Sequence, residues 1–170
     1  YHLRHAAKTA GARGLLVEKF VVAYVGEPLK FGRQVQAEAR RRGLGEAPQV
    51  FVVADGGVWI WNIVTDRFSA ATGGLDFYHA SQHLWDLAHT LHPENEAGAR
   101  DWVEPLLHQL RHGGEAGVLQ TLQSVPTWCA QRAQAVPPTV AREINYFTEH
   151  QEHIHYAARS GEGCPVGSGA

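Results

Sequence analysis

Two short segments of the chain contain the residues best suited to chemistry, and each places an aspartate at the end of a predicted strand. Asp55 follows the run Val50–Ala54 and precedes two glycines. Asp76 begins the sequence Asp-Phe-Tyr-His, which ends at His79. A carboxylate at the end of a strand is held on a rigid element yet faces solvent, so it can bind a hard cation such as Mg²⁺. Asp55 is therefore the candidate metal ligand, and Asp76 and His79 form a second candidate group.

Both groups also have a purely structural interpretation. Asp-Gly is a common turn pair, so Asp55 could simply belong to a turn. Asp76 could be the N-cap of a helix that has His79 in its first turn. If the strands before Asp55 and Asp76 are neighbours in one sheet, however, both carboxylates point toward the same sheet edge, and this arrangement favours a shared site.

Histidines and tryptophans supply further candidates. His79 and His83 share a helix face and could bind zinc, but the zinc-protease motif requires Glu where Ala80 stands. A second cluster lies near the end of the chain and consists of His150, His153 and His155. Such histidines are more often solvated surface residues. Trp59 and Trp61 could stack on nucleic-acid bases, although core packing is the commoner role of such a pair.

Composition and absent motifs exclude several classes of protein. The formal net charge is −2, which is not the basic balance of a dedicated nucleic-acid binder, although residues 1–42 carry a local basic surplus. The chain contains no phosphate-binding loop of the Gly-x-x-x-x-Gly-Lys-Ser/Thr type and no Gly-x-Ser-x-Gly motif. The two cysteines lack metal-ligand spacing, and no apolar run is long enough to span a membrane. These features predict a cytoplasmic globular protein without a membrane partner.

Sequence periodicity predicts alternating strands and helices, followed by helices alone. The predicted strands are Leu15–Val25, Val50–Ala54 and Gly73–Phe77. The predicted helices are Leu29–Arg42, Val58–Val64, Tyr78–Leu91, Trp102–His112, Glu115–Gln123, Thr127–Val136 and Val140–Arg159, with breaks at Gly113-Gly114, Pro126 and Pro137-Pro138. This order favours an α/β fold with a mostly parallel sheet, in which Val50–Ala54 is a central strand beside Leu15–Val25.

Three stretches together resemble the Mutator-like DDE transposases, in particular a bacterial insertion-sequence branch. The first, residues 50–62, reads Val-Phe-Val-Val-Ala-Asp-Gly-Gly-Val-Trp-Ile-Trp-Asn and is similar to the strand with the second catalytic Asp and its Asp-Gly-Ala-x-Trp-Ile-Trp-Asn signature. The second, residues 75–84, contains the Asp-x-x-His block. The third runs from Tyr146-Phe147 through His155-Tyr156 to Cys164-Pro-Val-Gly-Ser-Gly-Ala170, and it resembles the approach to the last catalytic Glu in a Gly-Ser-Gly-x-x-Glu context.

The resemblance implies an RNase H-like α/β core, present in part, with an all-helical insertion. Residues 15–92 would be the partial catalytic core, 93–136 the insertion, and 137–170 a helix and tail leading toward the catalytic Glu. It also implies catalytic roles for Asp55, Asp76 and His79, a Mg²⁺ or Mn²⁺ ion on Asp55, and DNA partners, namely transposon ends and target. A homo-oligomer is a further possibility.

Two departures from the family pattern limit the expected activity. Tyr1–Gly14 contains neither Asp nor Glu, so the first catalytic Asp is missing, and Ala170 precedes the position of the final Glu. Together with the absence of an initiating Met, this predicts a transposase fragment that is inactive or nearly so by itself. The alternatives are a non-catalytic helical module that binds DNA or protein, and a zinc-binding domain built on the histidines.

Overall fold

The computed structural model describes residues 2–4 and 15–167, with side chains from Lys19 onward. The strands in these ranges are β1 (His2–Arg4), β2 (Leu15–Glu18), β3 (Phe51–Ala54) and β4 (Thr72–Leu75). The helices are α1 (Pro28–Arg41), α2 (Val58–Arg67), α3 (Phe77–Leu91), α4 (Glu96–His112), α5 (Ala116–Gln131), α6 (Pro138–Glu149) and α7 (Tyr156–Gly161), with short 3-10 turns at Leu44–Glu46 and Gln151–His153. The chain is thus helix-rich and of mixed α/β type. No helix in the described ranges is long and apolar enough to cross a membrane.

The chain divides into two compact units, and the first comprises Tyr1–Val50 and Trp59–Ala70. In this unit β1 and β2 form an antiparallel pair. α1 and α2 approach closely at Gly32, where a Cβ atom would lie 2.9 Å from a methyl carbon of Ile63. The side chain of Gln36 donates to the carbonyl of Arg67 at 2.7 Å, which links the two helices a second time.

The first unit corrects two sequence-based predictions. The predicted strand Leu15–Val25 ends at Glu18 and pairs with β1, and the residues after it include Val25, which is 99% exposed. Its apolar residues suggest a strand, but the described residues 19–25 have no strand partner that would extend it. The prediction that the tryptophan pair packs in the core is also wrong for Trp59, which is 46% exposed and meets Phe31 edge-on. Trp61 is half-buried.

The second unit comprises Phe51–Val58 and Ala71–Ala170 and contains the parallel pair β3–β4. The strand predicted at Val50–Ala54 is present, but its predicted central position is wrong. Within the described ranges β3 pairs with β4 alone, and β2 pairs with β1. An apolar run identifies a strand from local pattern, whereas its neighbours depend on contacts between distant segments.

Helix α3 forms as predicted because its apolar residues recur on one face and Asp76 caps its N-terminus. Its buried residues include four that helical periodicity places on one side, Leu84, Leu87, Ala88 and Leu91. α3 packs against α4 and α6, α4 also contacts α5 and α7, and α5 contacts α6. The core of the second unit therefore lies among the helices.

Helices α4 and α5 lie in the segment from residue 93 to 136, which contains no strand, as predicted, although residues 132–136 are not helical. An insertion of this kind is expected to pack its apolar residues, such as Trp102, against each other. α4 packs on α3 and α7 as well as on α5, so the segment is not a protrusion packed only on itself. Trp102, Leu119 and Trp128 are half-buried, and the neighbouring Val103 and Val118 take the fully buried positions.

Two predicted helix boundaries are also corrected. α5 continues through Pro126, which was predicted to separate two helices. A proline inside a helix removes one backbone hydrogen bond, and here the buried residues Leu122, Val125 and Cys129 of α5 favour its continuation. The single helix predicted at Val140–Arg159 is instead α6, the turn Gln151–His153 and α7.

Buried Arg159 joins the end of the chain to the sheet. Its guanidinium donates to the carbonyl oxygens of Gly73 at 2.6 Å and His153 at 2.9 Å. One cation thus ties α7 to β4 and to the turn before α7, and hydrogen bonds from a charged donor are stronger than neutral ones.

Shortening a buried side chain on α3 tests this helical core. Leu84→Ala should lower the free energy of unfolding by about 2–5 kcal/mol, because Leu84 is fully buried and its truncation leaves a cavity. Val136→Ala is the control, since Val136 is 42% exposed and such surface changes stay within about 0.5 kcal/mol. Urea unfolding followed by circular dichroism measures both, and equal losses would contradict the described packing.

Candidate active site at the carboxyl edge of the parallel sheet

The register of β3 and β4 places Asp55 and Asp76 side by side. Ala54 pairs with Leu75 at the ends of the two strands, so the two aspartates follow at equivalent positions. The backbone N–H of Asp76 donates to the carbonyl of Ala54 at 2.7 Å and continues the pairing beyond the strand ends. The prediction that both aspartates lie at the same sheet edge is confirmed.

Asp55 is the exposed member of the pair. Its Oδ1 accepts a hydrogen bond from the backbone N–H of Gly57 at 3.1 Å, which closes a short turn. Gly56, between them, has a φ of 91°, a backbone conformation that residues other than glycine rarely adopt. The predicted turn and the predicted accessible carboxylate are therefore both present in one loop, residues 55–57.

Asp76, in contrast, is buried and caps α3. Its Oδ1 accepts from the backbone N–H groups of Tyr78 at 2.8 Å and His79 at 3.3 Å. This is the N-cap arrangement that the sequence suggested as a structural interpretation. The position of the carboxylate at a helix N-terminus stabilises its charge as well as the helix.

A row of aromatic rings from α3 and α6 extends along the same edge. The ring centroids of His79 and His83 are 5.0 Å apart, and those of His83 and Tyr146 are 3.7 Å apart with the planes tilted by only 19°. His150 meets Tyr146 edge-on at 4.8 Å. The structure thus brings three of the five candidate histidines together around a tyrosine that the sequence analysis did not select.

Tyr146 bonds to the Asp55 loop, and His150 lies close beside it. The hydroxyl of Tyr146 donates to the backbone carbonyl of Asp55 at 3.3 Å. A Cβ atom on Gly56 would lie 3.0 Å from Nε2 of His150 and 3.1 Å from the Tyr146 hydroxyl oxygen. Glycine at position 56 is therefore required both by its φ and by the closeness of α6.

Glu143 is the second residue that sequence reasoning missed. Its side chain is almost fully buried, and Oε2 lies 2.6 Å from Nδ1 of His83. Oε1 accepts from the guanidinium of Arg142 at 2.8 Å. The signal in the sequence was the spacing of Glu143, Tyr146 and His150, which places polar and aromatic groups on one face of a helix.

The tail after α7 returns to the same edge. The carbonyl of Val166 accepts from the backbone N–H of Phe77 at 3.0 Å. A Cβ atom on the next residue, Gly167, would lie 3.7 Å from Oδ1 of Asp76. The tail, which should lie at this edge if a catalytic Glu followed it, does so as far as Gly167, and its last part, Ser168–Ala170, falls outside the described residues.

Burial shifts the pKa of three residues on α6 and in the turn that follows it, Tyr146, His150 and His153. It raises the pKa of Tyr146, and the negative charges of Asp55, Glu143 and Asp76 raise it further, so the hydroxyl remains a donor at physiological pH. Burial also lowers the pKa of His150 below 6.5, and His83 and His79 add to the effect. The pKa of His153 is lowered mainly by burial as well.

The described residues contain no group of three or more His, Cys, Asp or Glu side chains arranged to hold a metal ion. His155, one of the histidines considered for zinc, lies with its Nδ1 2.6 Å from Oε1 of Glu115. His83 is engaged by Glu143 and Tyr146. Asp55, which is exposed at the strand end, remains the residue whose chemistry suits a single bond to a hard cation.

Comparison of the chain with protein-family models, with curated proteins and with solved structures gave no match.

The fit between Gly56 and α6 can be tested with one methyl group. Gly56→Ala should lower the free energy of unfolding by about 1–3 kcal/mol, because it strains a positive φ and crowds Tyr146 and His150. Gly161→Ala is the matched control, since a Cβ atom there meets nothing within 4 Å. Chemical unfolding measures both variants, and a neutral Gly56→Ala would show that α6 does not contact the loop.

The lowered pKa values of His150 and His153 predict a pH dependence of stability. Because the unfolded chain binds protons at a pKa near 6.5 and the folded chain below it, the free energy of unfolding should fall as the pH drops below 6.5. His153→Gln should reduce this fall, as measured by urea unfolding between pH 7.5 and 5.5. An unchanged slope in the variant would contradict the burial of His153.

Proposed function

We propose that this chain is the part of a DDE-type DNA transposase that carries the second of its three catalytic carboxylates, Asp55, on an RNase H-like core. The observation that carries the proposal is the return of the chain at Val166–Gly167 to the edge where Asp55 and Asp76 lie. In the family that the sequence resembles, a glutamate follows the Gly-Ser-Gly stretch that begins at Gly167. That glutamate would then approach the edge that carries Asp55.

The proposed chemistry requires Mg²⁺ or Mn²⁺, and Asp55 suits one part of it. Mg²⁺ keeps several of its waters and is commonly bound by one or two carboxylates together with substrate phosphates. Asp55 is exposed, and it is the only proposed metal ligand among residues 1–170, so the remaining ligands would be DNA phosphates, water and carboxylates of the intact enzyme. Two bound cations supply activation of the attacking oxygen and stabilisation of the leaving oxygen.

Asp76 and His79 have supporting roles in this proposal. Asp76 fixes the start of α3 beside Asp55, since its backbone bonds to β3 and its carboxylate caps the helix. His79, in the first turn of α3, is half-buried at the end of the aromatic row. A partly accessible imidazole at this edge can contact a phosphate group or the water around a cation.

DNA is the proposed partner, as transposon ends and as target. Support comes from the uneven charge of the chain, since basic residues predominate in residues 1–42 although the whole chain carries a net charge of −2. Binding through such a surface is weakened by salt because it releases counterions from the phosphates.

Metal binding by Asp55 is the most direct test. In the ¹⁵N-labelled chain, added Mn²⁺ should broaden the amide signals of Gly56 and Gly57, and Asp55→Asn should remove the broadening, because the amide that replaces the carboxylate is a poor ligand. Asp86→Asn is the matched control, since Asp86 is an exposed aspartate on α3 of the same unit. Broadening that survives Asp55→Asn would overturn the assignment.

Catalysis is tested in a longer polypeptide that contains this chain and the other two carboxylates. Asp55→Asn should lower strand transfer about a thousandfold, because losing a metal ligand removes several kcal/mol of transition-state stabilisation. Asp86→Asn should leave the rate unchanged. If Asp55→Asn retained full activity, while DNA binding persisted, the chain would instead be a non-catalytic binding module.

A further inference from the structure

A line of contacts connects a buried carboxylate on α6 with the loop that carries Asp55. It runs from Glu143 to His83, from His83 to Tyr146, and from Tyr146 to the carbonyl of Asp55. Glu143 and His83 are 60 residues apart in sequence, so only the packing of α3 against α6 brings them together. All four residues belong to the second unit.

The first contact fixes the orientation of the His83 ring. A carboxylate accepts hydrogen bonds only, so at 2.6 Å from Oε2 of Glu143 the Nδ1 atom of His83 carries the proton. Such charge-assisted bonds are short and stronger than neutral ones. The guanidinium of Arg142 donates to the other oxygen of Glu143 at 2.8 Å, so both carboxylate oxygens have a partner.

The second and third contacts transmit that orientation to the Asp55 loop. His83 stacks on one face of Tyr146, and His150 meets the same ring edge-on. The ring is thereby confined on two sides, and its hydroxyl lies 3.3 Å from the carbonyl of Asp55. This is a long hydrogen bond, so its own contribution to stability is modest, and the ring that donates it is held by two neighbouring histidines.

We infer that Glu143 and His83 are positioning residues that hold Tyr146 against the Asp55–Gly57 loop and so fix the direction of the Asp55 carboxylate. The metal-binding role of Asp55 rests on the function proposed above, whereas the coupling of Glu143 to the loop does not.

Packing alone would not require a glutamate at position 143 or a histidine at position 83. A buried carboxylate carries a desolvation cost, and a hydrophobic residue of similar volume often stabilises a protein equally well. Glu143 is fully buried, yet its two oxygens are both engaged, and one partner leads to the site. A rigid loop matters chemically because a metal ligand must hold its direction within about 0.5 Å and 10–20°.

The mobility of the Gly57 amide reports on the loop, because that N–H bonds to the Asp55 carboxylate. In ¹⁵N relaxation its order parameter should be near 0.85 in the wild-type chain and should fall toward 0.6 in Tyr146→Phe and in Glu143→Gln. Tyr78→Phe is the control, since Tyr78 is an exposed tyrosine of the same unit, and it should change nothing. Unchanged Gly57 mobility in folded Tyr146→Phe and Glu143→Gln would overturn the inference.

A double-mutant cycle distinguishes transmission from general loosening of the fold. If Glu143 acts through Tyr146, then Glu143→Gln should have no further effect on Gly57 once Tyr146→Phe is present. Additive effects on Gly57 would show that Glu143 acts by another route and would overturn the inference. Thermal unfolding checks that each variant is folded. If Glu143→Gln does not fold, His83→Phe takes its place in the cycle. That variant removes the hydrogen bond to Glu143 but keeps an aromatic ring stacked against Tyr146.

The same samples separate this inference from the proposed function. Mn²⁺ added to each variant should broaden Gly57 at a higher metal concentration than in the wild-type chain. Absence of broadening in the wild-type chain would overturn the metal role of Asp55, while the order parameters measured without metal would still decide whether Glu143 and His83 control the loop.

Discussion

The candidate site depends on one backbone hydrogen bond, from the N–H of Asp76 to the carbonyl of Ala54. This bond extends the parallel register of β3 and β4 past their carboxyl ends, so that Asp55 and Asp76 follow as neighbours. Because Asp76 also caps α3, the same residue joins the sheet to the helix. One residue therefore determines where the loop of Asp55 and the first turn of α3 lie relative to each other.

A two-stranded sheet offers little rigidity of its own, and the surrounding helices supply the rest. α3 buries its apolar face against α4 and α6, and this packing brings Tyr146 onto the Asp55 loop. On the neighbouring strand β4, the carbonyl of Gly73 accepts a hydrogen bond from Arg159 of α7. Polar contacts from two different helices therefore reach the loop after β3 and the backbone of β4.

The polar contacts at the edge differ in what they stabilise. Asp76 stabilises the fold in two ways, since its carboxylate caps α3 while its backbone bonds to β3 at the sheet edge. Glu143 orients the His83 ring more than it stabilises the fold, because a buried ion pair is often no more favourable than apolar packing. Exposed Asp55 contributes little to the core, and its carboxylate is accessible to solvent.

The sequence by itself determined the local features of this protein. The strand before Asp55, the helix after Asp76 and the N-cap itself all follow from short-range patterns and backbone hydrogen bonding. Even the common edge of the two aspartates could be predicted, because parallel neighbouring strands end on the same side. The RNase H-like core stays a proposal, because such a core has a larger sheet than either of the two-stranded sheets in the described residues.

Only the tertiary structure decided the features that depend on distant segments. Pairing of β3 with β4 alone, the burial of Val118 in place of Leu119, and the exposure of Trp59 depend on which surfaces meet. The contact between Glu143 and His83 joins residues 60 positions apart and leaves no local pattern of its own. Local propensity specifies elements over a few residues, whereas partners are chosen by the packing of whole faces, which a single sequence does not display.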